Sequence, residues 1–311
     1  MKKLLLCLPI TVALITACGQ GNVVPPAATL STLTLSGVTG PLQISVPAQL
    51  TVTATGSDGK PFSGTPTFTS SDPNVVAVDA NGFLQVRHLS ASPVTLSVSE
   101  GGKTAILTTT TYGLDATGGT LKYDSGLGTD VFLAFRDSAG NALTSDTSVN
   151  VQGPAGFNQN KPVTYTLPKG TTVSDYLFYA STMRAPVTGA YTATLIQNGT
   201  TFTKTFNLDA SQILPPLTSV TVTSDASKYA LSGTLPVGVA SAQLEIVDAQ
   251  NQTVRVGSLL KSLPYGATWN TALPSGSYSN LLIAYSVDTD ASLSFPDQLN
   301  TGFASSPLTV P

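Results

Sequence analysis

Along most of this chain apolar and polar residues alternate one for one. Leu50, Val52 and Ala54 are separated by threonines, and Val94, Leu96 and Val98 by Thr95 and Ser97. In an extended chain successive side chains point to opposite faces, so these stretches predict half-buried strands with one wet face. Turn residues end them at short intervals: Ser57-Asp58-Gly59-Lys60, Ser71-Asp72-Pro73-Asn74, Ala80-Asn81-Gly82 and Glu100-Gly101-Gly102. Short strands at that spacing predict sandwiches or barrels. One run breaks the alternation: Val131-Phe132-Leu133-Ala134-Phe135 is apolar throughout and predicts a strand buried on both faces.

Two devices recur and divide the chain. An apolar strand ended by Asp and then Gly or Asn appears at Thr51–Gly59, Val131–Asn141 and Leu244–Asn251. Glycine two residues ahead of a tyrosine opens a late strand at Gly189-Ala190-Tyr191 and again at Gly276-Ser277-Tyr278. Leu214-Pro215-Pro216-Leu217 reads as a stiff linker. The expected organisation is a β-sandwich over 30–112, a second over 113–213 and a third over 217–311. The alternative fuses the last two into one larger β-domain.

The amino-terminal end has a different pattern. Lys2 and Lys3 precede an apolar run from Leu4 to Ala17 that stops at Cys18. A short basic start, an apolar middle and small residues at the end make a secretory signal. The run falls short of the about 20 residues of a spanning helix. Leu14-Ile15-Thr16-Ala17-Cys18 resembles the lipobox of bacterial lipoproteins. That resemblance implies a signal peptide over 1–17, cleavage between Ala17 and Cys18, and diacylation of the Cys18 thiol. Residues 18–29, with Gly19 near the start and Pro25-Pro26 near the end, then form a lipid-anchored tether. Gly19 is not the aspartate that the family associates with inner-membrane retention. The outer membrane is therefore the expected address in a Gram-negative host, and the outer face of the cytoplasmic membrane otherwise.

A second resemblance lies in the first predicted sandwich. Phe68-Thr69-Ser70-Ser71-Asp72-Pro73-Asn74-Val75-Val76-Ala77-Val78-Asp79-Ala80-Asn81-Gly82-Phe83-Leu84 is similar to the centre of a bacterial immunoglobulin-like domain, group 2. Phe68 stands where the family usually has tryptophan, and His88 to Pro93 where it often has a glycine turn. The expected fold class is all-β: tandem immunoglobulin-like or fibronectin-like β-sandwiches after a lipoprotein signal peptide.

Composition narrows the chemistry. Only 10% of the 311 residues are charged, against roughly a quarter in ordinary domains. The net charge is −3, and loss of Lys2 and Lys3 leaves −5. No basic run exists to neutralise phosphates, which argues against nucleic acid. Cys7 leaves with the signal and Cys18 takes lipid, so neither of the two cysteines remains for a disulfide or a metal. The single histidine, His88, reads as a solvated loop residue, and no Gly-x-Ser-x-Gly elbow accompanies it. The two glutamates, Glu100 and Glu245, fall in different sandwiches, and nearly all the aspartates read as turn caps. No enzyme, no cofactor and no metal site is expected. Candidate ligand-binding positions are aromatic: Trp269 and Tyr265 in the third sandwich, Tyr176 and Tyr179 in the second. Stacking on sugar rings is the functional reading of Trp269, and a core tryptophan the structural one. Expected partners are the membrane through Cys18 and a cell-wall or surface polysaccharide or an envelope protein. The function these readings support is a non-catalytic spacer or adhesion/interaction module of the cell envelope; the alternatives are a carbohydrate-binding envelope lipoprotein using exposed aromatics and an accessory subunit of an envelope assembly.

Overall fold

The computed structural model describes residues 27–123, 126–170, 179–182, 184–250, 252–286 and 298–311. The lipobox and its tether to residue 26 lie outside them. The described chain is all-β, with one short 3-10 turn at Phe157–Asn160. Among the described residues no helix is long and apolar enough to cross a membrane.

The first unit contains β1 (Leu30–Ser36), β2 (Leu42–Gln43), β3 (Ala48–Gln49), β4 (Thr51–Gly56), β5 (Thr67–Ser70), β6 (Val76–Val78), β7 (Phe83–Val86), β8 (Val94–Glu100) and β9 (Lys103–Thr109). β1 pairs with β4, and β3-β7-β6 continue that layer; β5-β8-β9 form the other. With β3 and β4, separated by Leu50 alone, counted as one strand, this is the immunoglobulin order, four strands of the ABED kind against three of the CFG kind. The predicted alternation is literal in β8, where Val94, Leu96 and Val98 are buried. The hairpin at Asn81-Gly82 closes because Gly82 takes φ +79°, a region glycine enters without strain. The Asp79 carboxylate accepts from the amides of Asn81 and Phe83 beneath it. Phe68 packs against the first core.

The next strand, β10 (Thr111–Tyr123), begins in the first unit and ends in the second. Thr111 and Tyr112 pair parallel to Leu42 and Gln43. From Gly113 onward the same strand pairs with β11 (Gly126–Arg136). β12 (Thr147–Gln152), β13 (Val163–Leu167), β14 (Tyr179–Thr182), β15 (Gly189–Gln197) and β16 (Thr200–Leu208) complete the unit. Its layers are β14-β11-β10 and β13-β12-β15-β16.

The third unit repeats that order. β17 (Val220–Ser224), β18 (Lys228–Gly233) and β21 (Tyr265–Thr268) form one layer. β19 (Ser241–Asp248), β20 (Thr253–Val256), β22 (Gly276–Tyr285) and β23 (Thr301–Val310) form the other, in the order β20-β19-β22-β23. Both later units carry a tyrosine corner. The Tyr191 hydroxyl donates to the Val187 carbonyl at 2.9 Å, and that of Tyr278 to the Pro274 carbonyl at 3.0 Å. A tyrosine that reaches back to the backbone upstream of strand F marks immunoglobulin-like sandwiches. These are the two tyrosines behind the recurring glycines.

The units are interlocked. β23 pairs parallel to β10 through Leu121↔Thr301 and Lys122↔Gly302, so one sheet runs through the second and third units. The first core includes Phe132 and Ala134 from β11 and Ile283 and Tyr285 from β22. Val131, Leu133 and Phe135 face the second core, while Leu282 and Ala284 face the third. The continuous apolar run at Val131–Phe135 is thus buried on both faces because a different unit covers each. Leu214 and Leu217, at the ends of the proline pair, are buried in the third core, so this connection is packed as well as stiff.

Candidate functional site

Period two decides what β10 presents at the boundary between the first two units. Leu114 and Ala116 turn into the second core. Asp115, between them, turns to the opposite face and meets the first unit. It is wholly buried. Its Oδ1 lies 3.1 Å from Nδ1 of His88, and its Oδ2 accepts the Leu89 amide at 2.7 Å. Lys204 reaches in from β16, with Nζ 3.6 Å from Oδ1. The same ammonium donates to the Arg87 carbonyl.

A second layer of bonds secures the segment that carries His88. The Thr111 hydroxyl donates to the His88 carbonyl at 2.9 Å and accepts the Ser90 amide at 2.6 Å. The Ser90 hydroxyl accepts the Thr111 amide at 3.1 Å. Arg136, at the end of β11, donates to the Ser90 carbonyl at 2.7 Å. Three residues that can carry charge are therefore buried together at a boundary between sandwiches. Such burial is stable only when each charge is paired and hydrogen-bonded.

Two expectations are corrected here. His88 is not a solvated loop residue: it is 4% exposed. Nor are the aspartates all turn caps, because Asp115 and Asp130 sit inside strands and are fully buried. The turn reading does hold for Asp58, Asp79, Asp137 and Asp248, whose carboxylates accept backbone amides two to four residues on. The segment from His88 to Ser90 docks the second unit through Asp115, Thr111 and Arg136.

Above the cluster lies a cleft of about 740 Å³ between β7 and β16. Its lining includes Arg87, His88 and Lys204, with Gln85 and Asn207 among the polar residues and Val46 and Pro47 among the apolar ones. The Arg87 guanidinium is held against the wall, donating twice to the Gln85 side-chain oxygen at 3.1 and 2.8 Å.

The boundary between the second and third units is built differently. Gln298 accepts the Asp209 amide at 2.8 Å and donates to Asn300 Oδ1 at 2.7 Å. Asn300 Oδ1 also accepts the Thr120 amide at 3.0 Å. Beside this amide network sits Asp130, whose Oδ2 accepts the Thr301 hydroxyl and whose Oδ1 is buried with no partner among the described residues. Burial pushes its carboxyl up to about 7, although the Thr301 bond pulls the other way.

Of the aromatic candidates, Trp269 and Tyr265 meet around Tyr229. Trp269 stacks on Tyr229 with ring centroids 4.4 Å apart and packs against the third core. Its Nε1 is buried without a partner among the described residues. Tyr265 contacts the other side of the same group, 6.0 Å from Tyr229. Tyr176 lies outside the described residues, and only the backbone of Tyr179, in β14, is described. Cys18 and Ala17 also lie outside. Among the described residues no group of three or more histidines, cysteines or carboxylates could hold a metal.

No protein family matches the chain, and no curated protein does. Among solved structures it is similar to a tandem of titin domains, at 12% identity over 91% of this chain and 100% of that one, with a TM-score of 0.23. It is also similar to the S-layer protein SbsC, at 14% identity over 91% of this chain and 40% of that one, with a TM-score of 0.23. Dimeric latent PorU from Porphyromonas gingivalis is similar at 11% identity over 91% of this chain and 34% of that one, with a TM-score of 0.22. At such values the likenesses carry no argument about function. The immunoglobulin-like order is read from the chain's own strand pairing.

Proposed function

We propose that this chain is a non-catalytic cell-envelope lipoprotein, held by lipid on Cys18 and acting as a spacer or interaction module. The observation that carries the reading is the interlock of the three sandwiches. The residues with most chemical potential, His88, Asp115 and Lys204, bind one another and neighbouring backbone across the first boundary. Groups committed in this way hold domains together; a catalytic set would leave a nucleophile or acid poised toward a cleft. A rigid three-domain body suits an envelope protein, because loops at its ends are displayed at a fixed distance from the anchor. The lipobox-like Ile15-Thr16-Ala17-Cys18 supplies the anchor, and acylation at more than one position is enough for stable membrane attachment. The address follows the sequence reading: outer membrane in a Gram-negative host, outer face of the cytoplasmic membrane in any other.

The test is fractionation of the native host or a heterologous one after Cys18→Ala substitution. The wild-type chain should sediment with membranes and its amino-terminal peptide should carry the mass of the acyl groups. The variant should appear in the soluble fraction. Retention of the variant in membranes would overturn the anchor.

A further inference from the structure

The cleft between β7 and β16 has features that the interlock does not require. Its described lining carries three basic side chains, Arg87, His88 and Lys204, and no carboxylate. Asp115 lies beneath, with both oxygens already taken. With Lys204 paired to Asp115, the Arg87 guanidinium leaves the described lining net basic, in a chain of net charge −3. Lys204 is 7% exposed. An ammonium has three donors, and its two described partners leave one for a ligand. Arg87 is pre-oriented by Gln85, which lowers the entropy of placing its fork on a carboxylate.

The rest of the lining sets the ligand's other properties. Asn207 is an exposed amide that can both donate and accept, Gln85, whose oxygen takes the Arg87 guanidinium, keeps its NH2 to donate, and Thr205 adds a hydroxyl. Val46 is 45% exposed and stands beside Pro47, giving a small apolar panel on one side. A carboxylate, several hydroxyls and one apolar ring face describe a sugar acid. The volume of about 740 Å³ falls among ordinary ligand pockets.

We infer that this cleft binds a uronic-acid unit of an acidic polysaccharide, the carboxylate meeting Arg87 and Lys204 and the hydroxyls meeting Gln85, Thr205 and Asn207. The inference rests on the interaction-module part of the proposed function and not on the lipid anchor. It also places the ligand site at the first domain boundary, away from Trp269.

Calorimetric titration of the full chain in detergent with trigalacturonate tests it, with maltotriose as the neutral control and succinate as the sugar-free dicarboxylate. Trigalacturonate should bind, and Arg87→Gln should weaken it about tenfold, the loss of one charge-assisted contact. Asn207→Ala, at an exposed position, should weaken it less and leave the melting temperature unchanged. Lys204 is left intact because its removal would strand Asp115. Maltotriose or succinate binding as tightly as trigalacturonate overturns the inference, and so does no binding of trigalacturonate at millimolar concentration. The Cys18→Ala chain should bind equally well, so failure of the anchor and failure of this site are read separately.

Discussion

The two domain boundaries solve one problem with opposite chemistry. Between the first and second units, β10 runs through without a break and the contact is charged: Asp115 between His88 and Lys204. Between the second and third, two strands meet edge to edge and the contact is neutral: Gln298, Asn300 and Thr120 in an amide network. A charged tie in a dry setting fails abruptly when one member is removed, because the survivor is left without a counter-charge. A neutral network with backbone pairing loses its members one at a time, each at the modest net value of a hydrogen bond. The first boundary is therefore the more brittle of the two.

The largest effect should come from breaking the charged tie. Asp115→Ala leaves the Lys204 ammonium buried and its Leu89 amide contact unmade, and should cost about 3–5 kcal/mol in urea unfolding. The double substitution Asp115→Ala, Lys204→Met should recover most of that loss, since an apolar pair of similar bulk removes the stranded charge. If the double variant is no more stable than the single one, the brittleness has another origin.

That tie was the least legible part of the chain. Periodicity announces what each strand buries, and it did so for Val94–Val98 and for the doubly buried Val131–Phe135. Turn chemistry placed the capping aspartates, and two glycines pointed to Tyr191 and Tyr278. Each of these signals is local. Asp115 sits in Thr-Tyr-Gly-Leu-Asp-Ala-Thr-Gly-Gly-Thr, a string that reads as turn-rich, yet it is a buried 13-residue strand. Its glycines and small side chains are there because other units approach closely from both faces. Its partners, His88 and Lys204, come from the first unit and from the far end of the second, and nothing in their own neighbourhoods names a buried role. Trp269 was an ambiguity between sugar platform and core residue; its stacking on Tyr229 is a packing relation that no single-sequence pattern encodes.

The neutral boundary should yield to sterics before it yields to side-chain deletion. A Cβ built on Gly119 falls on the Leu299 carbonyl, backbone that cannot rotate away. Gly119→Ala should therefore push β23 from β10 and cost about 2–3 kcal/mol, in the range of overpacked cores. Thermal unfolding measures it, and Asn300→Ala, at about 1 kcal/mol, is the reference. If Gly119→Ala melts with the wild type, the close approach of the two sheets is not a constraint, and the seam is held by side chains after all.

The most diagnostic effect concerns Asp130, a buried carboxyl at the neutral boundary. Asp115 has a histidine and a lysine beside it; Asp130 has, among the described residues, only the Thr301 hydroxyl, with Tyr165 and Tyr285 near enough to feel its charge. Its folded-state value is raised from 3.8 to about 7, so the unfolded chain releases its proton near pH 4 while the folded chain holds it to near neutrality. Stability attached to this group is thus full below about pH 4, falls as pH rises towards 7, and is flat above. Asp130→Asn keeps the shape and removes the titration. It should leave stability at pH 4 nearly unchanged and raise it at pH 8 by about 4 kcal/mol. The turn-capping Asp137, Asp209 and Asp225, whose carboxyls are held below the usual range by backbone and side-chain donors, act in the opposite direction at acid pH. They do so equally in both proteins, and the difference between the two urea profiles isolates Asp130. A difference that stays constant from pH 4 to pH 8 would mean that the carboxyl keeps one charge state throughout, and the two boundaries would then differ only in strength.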